Sequence, residues 1–210
     1  DARIPLSSRN PDIDTLAAGK SRMVLLNKSD LADASGNAQW KKYFEEKGIH
    51  VLEINAKAGS GVKSVNGLVQ EACKEKIERD RKRGIVNRPV RAMVVGIPNV
   101  GKSTFINAFA GKACTKTGNK PGVTKGKQWI KLNKGLELLD TPGILWPKFE
   151  DQEVGKHLAY IGSINDEIII MEEMACDLIG ELINLYPNVL KERYSLEELG
   201  KPIEILQAIA

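Results

Sequence analysis

The order of apolar and polar positions along the chain predicts an α/β architecture followed by a helical part. Five short apolar runs have the length of buried strands, and apolar residues recur at helical spacing between them. The predicted strands cover 23–27, 51–54, 91–95, 128–132 and 136–139, and the predicted helices cover 38–47, 62–83 and 102–110. Strands that alternate with helices favour a mostly parallel sheet between helices.

From about residue 150 the pattern changes to helical spacing without a strand-like run. The predicted helices cover 151–162, 166–186 and 195–209. Ser195-Leu196-Glu197-Glu198 fits a capping box at the start of the last helix. We therefore divide the chain into an α/β domain, residues 1–149, and an all-helical C-terminal domain, residues 150–210, which we expect to be truncated.

Composition excludes several classes of protein. No run approaches the roughly 20 apolar residues that span a bilayer, so we expect no membrane association. The three cysteines are far apart and form no CxxC pair, which argues against a disulfide framework or a cysteine zinc site and favours a reducing compartment such as the cytoplasm. His50 and His157 are isolated and are interpreted as packing or surface groups.

The net charge of +4 is modest, but the cations are concentrated. Two explanations of the first basic segment stay open: a solvated helix end, where cations suit the helix dipole, and a surface that faces RNA. The first segment contains Lys74, Lys76, Arg79, Arg81, Lys82, Arg83, Arg88 and Arg91, and the second contains Lys116, Lys120, Lys125, Lys127 and Lys131.

Residues 96–103, Gly-Ile-Pro-Asn-Val-Gly-Lys-Ser, match the phosphate-binding pattern GxxxxGK[ST] between a strand and a helix. Glycines let backbone N–H groups surround phosphate oxygens, and the following helix presents its positive end. Lys102 is predicted to reach the β- and γ-phosphates, and the Ser103 hydroxyl to bind Mg²⁺. The predicted phosphate contacts are Asn99, Val100, Gly101, Lys102, Ser103 and Thr104.

Asp140-Thr141-Pro142-Gly143 follows an apolar strand. Asp140 can hold Mg²⁺ through water, and the Gly143 N–H can sense a γ-phosphate. The same four residues also suit a simple β-turn. Their position after the phosphate loop favours the metal interpretation.

Asn27-Lys28-Ser29-Asp30 ends another buried strand, and Asn55-Ala56-Lys57 ends the next. The Asp30 carboxylate can accept from the two N–H donors of guanine, which adenine lacks. Asn27 can tie the loops together, the Lys28 stem can cover the base, and the Ala56 N–H can donate to guanine O6. Each segment alone could also be a simple turn. Together with a phosphate loop, however, the two segments predict that the ligand is GTP or GDP.

The order of these motifs is unusual, because the base-reading segments precede the phosphate loop. A parallel α/β fold tolerates such a cut, since its termini lie at the surface. We therefore predict a circularly permuted GTPase with a P-loop.

At this point the chain resembles the circularly permuted GTPases of ribosome biogenesis. The resemblance is carried by residues 1–5 and 8–11, the motifs at 27–30, 96–103 and 120–124, and residues 140–147. It implies a protein that helps the large ribosomal subunit mature and binds ribosomal RNA. It also implies that Thr124 completes the Mg²⁺ shell and that Asn99 helps hold a K⁺ ion. A mitochondrial relative stays open, and we expect a monomer.

The resemblance also implies that the family has a strand and a catalytic histidine ahead of the segment that begins at Asp1. We therefore expect a fragment that lacks both. Ile144, after the last glycine of the 140–143 motif, cannot orient water as a switch glutamine does. We expect slow intrinsic hydrolysis stimulated by the ribosomal subunit, with Lys102, Thr124, Gly143 and Asn99 as the catalytic set.

Two other functions share part of this pattern. An ATP-using P-loop enzyme would have the phosphate loop, but the Asp30 motif argues against it. A GTP-dependent RNA- or ribosome-binding module with little hydrolysis stays open.

Overall fold

The computed structural model describes residues 1–86, 88–115, 126–133, 135–146 and 149–209. The chain divides into two compact units, residues 1–149 and residues 150–210. The first unit combines strands with helices, whereas the described part of the second contains helices without strands. The predicted α/β class is confirmed. Within the described ranges, no helix is long and apolar enough to cross a membrane.

The five predicted strands are present, with ends shifted by at most one residue. They are β1 (Met23–Asn27), β2 (His50–Ile54), β3 (Val90–Val94), β4 (Gln128–Asn133) and β5 (Leu136–Asp140). They form two sheets, a parallel pair β1-β2 and a three-stranded sheet of order β3-β5-β4. β3 and β5 are parallel, and β4 pairs antiparallel with β5 because their connection is too short for a crossover.

The helices of the first unit are α1 (Ile13–Leu16), α2 (Ala34–Glu45), α3 (Val65–Ala72), α4 (Lys74–Lys82) and α5 (Lys102–Ala110). α2 begins earlier than its aromatic spacing predicted, because Asp33 caps it. The Asp33 carboxylate accepts from the Gly36 N–H at 2.9 Å, which satisfies one of the unpaired donors of the first turn.

The single helix predicted over 62–83 is wrong. A 3₁₀ turn covers Val62–Ser64, and the chain then divides into α3 and α4 at Cys73, where φ is −105° and ψ is 8°. α3 buries Val65 and Val69, whereas α4 has no buried residue. The division therefore falls where the fully buried stripe ends, since Ile77 is the one apolar residue of α4 and is only partly buried.

One hydrophobic core joins both sheets of the first unit. Buried residues of β2 and α3, such as Ile54 and Val69, belong to the same cluster as Leu138 of β5 and Ile106 of α5. A second cluster packs Phe44 of α2 under β1 and β2. The shared core fixes the carboxyl ends of β1, β2, β3 and β5 relative to one another, which matters for the loops that follow them.

The second unit contains α6 (Gln152–Tyr160), α7 (Met171–Leu185), α8 (Pro187–Tyr194) and α9 (Pro202–Ile209). A 3₁₀ turn, Asp166–Ile168, precedes α7, so the helix predicted over 166–186 is shorter than expected. Ile179, Leu190 and Ile205 form its buried core.

The capping box predicted at Ser195 is wrong. Ser195 ends α8 in the left-handed region with φ 56°, and Pro202 begins the last helix instead. The Glu204 carboxylate accepts from the Lys201 N–H at 2.9 Å, which is the return bond of a capping box six residues further on. Proline suits a first helical position because its missing N–H would be unpaired there.

Candidate functional site

The parallel pairing of β3 and β5 places the phosphate loop beside the 140–143 segment. Val94 lies opposite Asp140 in the register, so both strands deliver their following loops to one edge of the sheet. The Thr141 hydroxyl donates to the Val94 carbonyl at 2.7 Å and links the two strand ends. A Cβ on Gly143 would lie 2.7 Å from Pro98 Cα, so this close approach requires glycine.

The phosphate loop has the backbone expected of a phosphate cradle. Asn99 and Gly101 have positive φ angles of 59° and 90°, and α5 begins directly at Lys102. Ser103 and Thr104 therefore lie in the first turn of α5, where backbone N–H groups point toward an anion. The Lys102 ammonium donates to the Ile97 carbonyl at 2.7 Å, so the side chain folds back over the loop.

Burial lowers the pKa of Lys102 to about 8, and the nearby Asp140 carboxylate opposes this shift. Asp140 is fully buried, and burial raises the pKa of its carboxyl, against the effect of Lys102. Neither carboxylate oxygen has a hydrogen-bond partner among the described residues. Buried carboxylate oxygens are normally satisfied, so these two oxygens are candidates for contact with a bound ligand.

The second pair of parallel strands delivers the two base-reading segments to one edge. Asn27 lies opposite Ile54 in the register of β1 and β2. The Asn27 amide donates to the Val100 carbonyl at 2.8 Å, and its oxygen accepts from the Ala56 N–H at 3.0 Å. One buried side chain therefore connects both base-reading segments with the phosphate loop.

Lys28 makes a second connection to the phosphate loop. Its ammonium donates to the Asn99 carbonyl at 2.8 Å and lies 3.2 Å from Asp1 Oδ2. Arg3 also donates to the Asp1 carboxylate, at 2.9 and 2.8 Å, and the Asp1 side chain is fully buried. Lys28 has φ 60°, so the loop is held in a left-handed turn.

Ala56 and Asn55 have hydrogen bonds that alter their expected roles. The Ala56 N–H already donates to Asn27, so a bond to guanine O6 must share or replace that contact. The Asn55 side chain accepts from the Ala58 N–H at 2.9 Å and shapes its own loop. Thr124 lies outside the described residues, as do Lys116, Lys120 and Lys125 of the second basic segment.

Asp30 and Lys57 are exposed at the ends of their segments. The structure brings together the following predicted residues: Asn27, Lys28, Asn55, Ala56, Asn99, Val100, Gly101, Lys102, Ser103, Asp140 and Gly143.

Two residues that support the loops of the site, Asp1 and Asn107, were not predicted from the sequence. The Asn107 oxygen accepts from the Cys114 and Thr115 N–H groups at 2.8 and 2.9 Å, which ties the segment after α5 to that helix.

A signal for Asp1 existed in the sequence, since the Asp-Ala-Arg segment carried part of the family resemblance. Nothing in that pattern indicated that its carboxylate would bind the lysine of the 27–30 motif. Asn107 had no sequence signal beyond being a polar residue inside a predicted helix.

Comparison with known proteins agrees with this geometry. Residues 91–207 match the family described as 50S ribosome-binding GTPase. Ribosome biogenesis GTPase A of Priestia megaterium (strain DSM 319 / IMG 1521) is 52% identical over 211 residues, covering 100% of this chain and 73% of that protein.

Two solved structures have the same fold. A GDP-bound YlqF structure is 26% identical, with a TM-score of 0.62, and covers 100% of this chain and 83% of that chain. A GNP-bound YlqF from T. maritima is also 26% identical, with a TM-score of 0.58 and coverage of 100% and 81%. Together with the matched sequence family and the geometry of the loops, these similarities show that the chain belongs to the ribosome biogenesis GTPase family.

Proposed function

We propose that this chain binds GTP and GDP in a circularly permuted site and hydrolyses GTP as a switch in assembly of the large ribosomal subunit. The observation that carries the proposal is the pair of hydrogen bonds through which Asn27 joins the phosphate loop to the segment that begins at Asn55. These bonds hold the predicted phosphate contacts beside the predicted base contacts, as a nucleotide requires.

Guanine specificity rests on Asp30. Its exposed carboxylate lies two residues after Lys28, whose ammonium is fixed to the phosphate loop. A carboxylate there accepts from the two adjacent N–H donors of guanine, and adenine presents no such pair. An ATP-using enzyme would leave this carboxylate without a base partner.

The residues present also fit Mg²⁺. The two Asp140 oxygens are buried without a partner among the residues that the structure describes, and Ser103 supplies a hydroxyl at the start of α5. Oxygen donors of this kind are the ligands that Mg²⁺ prefers, and Thr124 is the proposed third contributor. When bound, the ion would neutralise charge on the β- and γ-phosphates.

In hydrolysis, this chain's own residues position the γ-phosphate. Lys102 places a cation at the centre of the loop, and Gly143 lies close to it, since a Cβ on Gly143 would be 2.9 Å from Lys102 Nζ. Asn99 adopts a left-handed backbone conformation with φ 59°, and we propose that its side-chain amide helps to hold a K⁺ ion. Ile144 is 65% exposed and has no polar atom for orienting water, so the intrinsic rate should be low.

The base assignment is tested with Asp30→Asn, using Asp12→Asn as a control at another exposed aspartate. Binding of GTP and xanthosine triphosphate is measured by fluorescence titration. The Asp30 variant should lose GTP affinity and gain affinity for xanthosine triphosphate, because the amide pairs with the oxo group of that base. Unchanged preference in this variant would show that Asp30 does not read the base.

The role of K⁺ is tested by comparing GTP hydrolysis in K⁺ and Na⁺ with large ribosomal subunits present. We expect faster hydrolysis in K⁺ for the wild type and equal rates for Asn99→Ala. Equal rates for the wild type in the two salts would contradict the K⁺ proposal without affecting the base assignment.

The exposed apolar Ile144 also favours a second candidate, a GTP-dependent ribosome-binding module with little hydrolysis. Single-turnover hydrolysis with and without purified large subunits separates the two functions. A rate that rises with added subunits supports the GTPase switch. Binding of subunits in GTP without any rise in rate supports the module.

A further inference from the structure

In the second unit, α6 and α7 bring three metal-binding side chains together. Glu153 and His157 are four residues apart on α6 and therefore lie on one face of that helix, and Glu181 approaches from α7. One potential ligand atom from each residue lies within 4.8 Å of the other two. His157 Nε2 is 3.6 Å from Glu181 Oε2. No role in nucleotide binding or hydrolysis involves these residues.

A fourth residue orients the Glu181 carboxylate. The Tyr160 hydroxyl donates to Glu181 Oε1 at 3.0 Å, which leaves Oε2 directed toward His157. Hydrogen bonds of this kind from an outer residue fix the ligands of known metal sites in position.

The local charge also suits a divalent cation. Lys156 lies 3.2 Å from Glu153 Oε1 and 3.1 Å from Asp177 Oδ2. The carboxylates of Glu153 and Asp177 face this one ammonium, and the Glu181 carboxylate lies beside Glu153, so the group carries an excess of two negative charges when His157 is neutral. Because Lys156 has a second carboxylate in Asp177, Glu153 can turn to a metal without leaving the ammonium unpaired.

We propose that Glu153, His157 and Glu181 bind a divalent transition metal ion of the Zn²⁺ class. Imidazole nitrogen and carboxylate oxygen are both ligands that Zn²⁺ accepts, whereas Mg²⁺ and Ca²⁺ prefer oxygen ligands alone. The side chains of His157 and Glu181 are each 32% exposed, so an ion can enter from solvent and water can complete the coordination. The ion would clamp α6 to α7 and stabilise the helical unit.

The site is tested on the whole chain, free of nucleotide and Mg²⁺, by titration with Zn²⁺ in a calorimeter and with Co²⁺ by visible absorption. The wild type should bind one more equivalent than His157→Gln or Glu181→Gln. The controls are His50→Gln, at the other histidine, and Glu172→Gln, at an exposed carboxylate of α7; both should keep that equivalent. Tyr160→Phe should keep it with an affinity lower by about 10- to 100-fold.

Circular dichroism establishes that each variant is folded. Two ligand variants are used so that the test still holds if one of them does not fold. Thermal unfolding should shift upward with Zn²⁺ in the wild type and not in His157→Gln. Equal stoichiometry in the wild type and both ligand variants would overturn the proposal. A thiolate-to-cobalt charge-transfer band that persists in both variants, with no loss of an equivalent, would overturn it as well, because the bound ion would then be on cysteine.

Discussion

Gly101→Ala should damage nucleotide binding through one identifiable contact. Gly101 has φ 90°, and a Cβ there would lie 2.4 Å from the Asn27 Nδ2 atom, well inside contact distance. The Asn27 amide must therefore move, and it would lose its bonds to the Val100 carbonyl and the Ala56 N–H. The substitution thus separates the phosphate loop from the base-reading segments without removing any predicted ligand of the nucleotide.

The expected cost has two parts. Holding alanine in the left-handed region costs roughly 1–2 kcal/mol. Losing the two Asn27 hydrogen bonds costs about 1 kcal/mol each. The total is about 3–4 kcal/mol. If the loop relaxes in the nucleotide-free protein, the whole cost falls on binding and lowers the GDP affinity by roughly two to three orders of magnitude. Any part that does not relax appears instead in the free energy of unfolding.

The assay is titration with a fluorescent GDP analogue, with urea unfolding in parallel so that both parts are counted. Gly111→Ala is the matched control, because Gly111 has φ 67° but a Cβ there meets no atom within 4 Å. In an Asn27→Ala background, Gly101→Ala should cost only the backbone strain. If its cost is the same in both backgrounds, the contact with Asn27 is not the cause and the reasoning is refuted.

Three further predictions concern stability. Burial lowers the pKa of Lys102 to about 8 from its ordinary 10.5. Between those values the unfolded chain holds more protons, so the free energy of unfolding of the nucleotide-free protein should rise with pH from about 8 to 10.5. Lys102→Met should abolish this rise in urea melts, and an unchanged slope would contradict the assignment. Gly61→Ala should lower the free energy of unfolding by about 2–4 kcal/mol, since φ is 73° and a Cβ would lie 2.5 Å from a carbonyl oxygen of β2. Gly59→Ala, with φ 77° and no atom within 4 Å of the Cβ, should cost only about 1–2 kcal/mol, and equal losses would argue against the steric term. Asn107→Ala removes the acceptor for the N–H groups of residues 114–115, which should exchange hydrogen about tenfold faster while amides of β1 keep their protection. Unchanged exchange at 114–115 would show that the asparagine does not hold this segment.

The strands were predictable because each is a short run rich in apolar residues, although Met93 of β3 and Trp129 of β4 are exposed. The helix boundaries were less predictable, since they depend on individual caps and on packing. The 62–83 segment has continuous helical spacing, yet its fully buried residues end with α3 and the helix divides at Cys73, while Ile77 of α4 is only partly buried against the core. At the far end, Ser195-Leu196-Glu197-Glu198 had the right residue types for a cap, but Pro202 with Glu204 forms the cap that exists.

For the candidate site, the sequence identified the loops and the structure showed how they are joined. The motifs at 27–30 and 96–103 carry residue types that chemistry requires, so spacing was enough to find them. The bonds from Asn27 to Val100 and from Lys28 to Asn99 depend on the relative position of strands in different sheets. No local pattern encodes that position, because it is set by packing in the shared core.

The hydrogen bond between Asn27 and Val100 spans 73 residues of chain. Closing a loop of that length costs entropy before the contact forms, and contacts so distant along the chain slow folding. Synthesis proceeds from the amino terminus, so the base-reading segments are complete long before the phosphate loop has been made. A bound nucleotide can therefore stabilise only the late steps in the folding of residues 1–149, and the first half of the site must hold its shape without ligand until then.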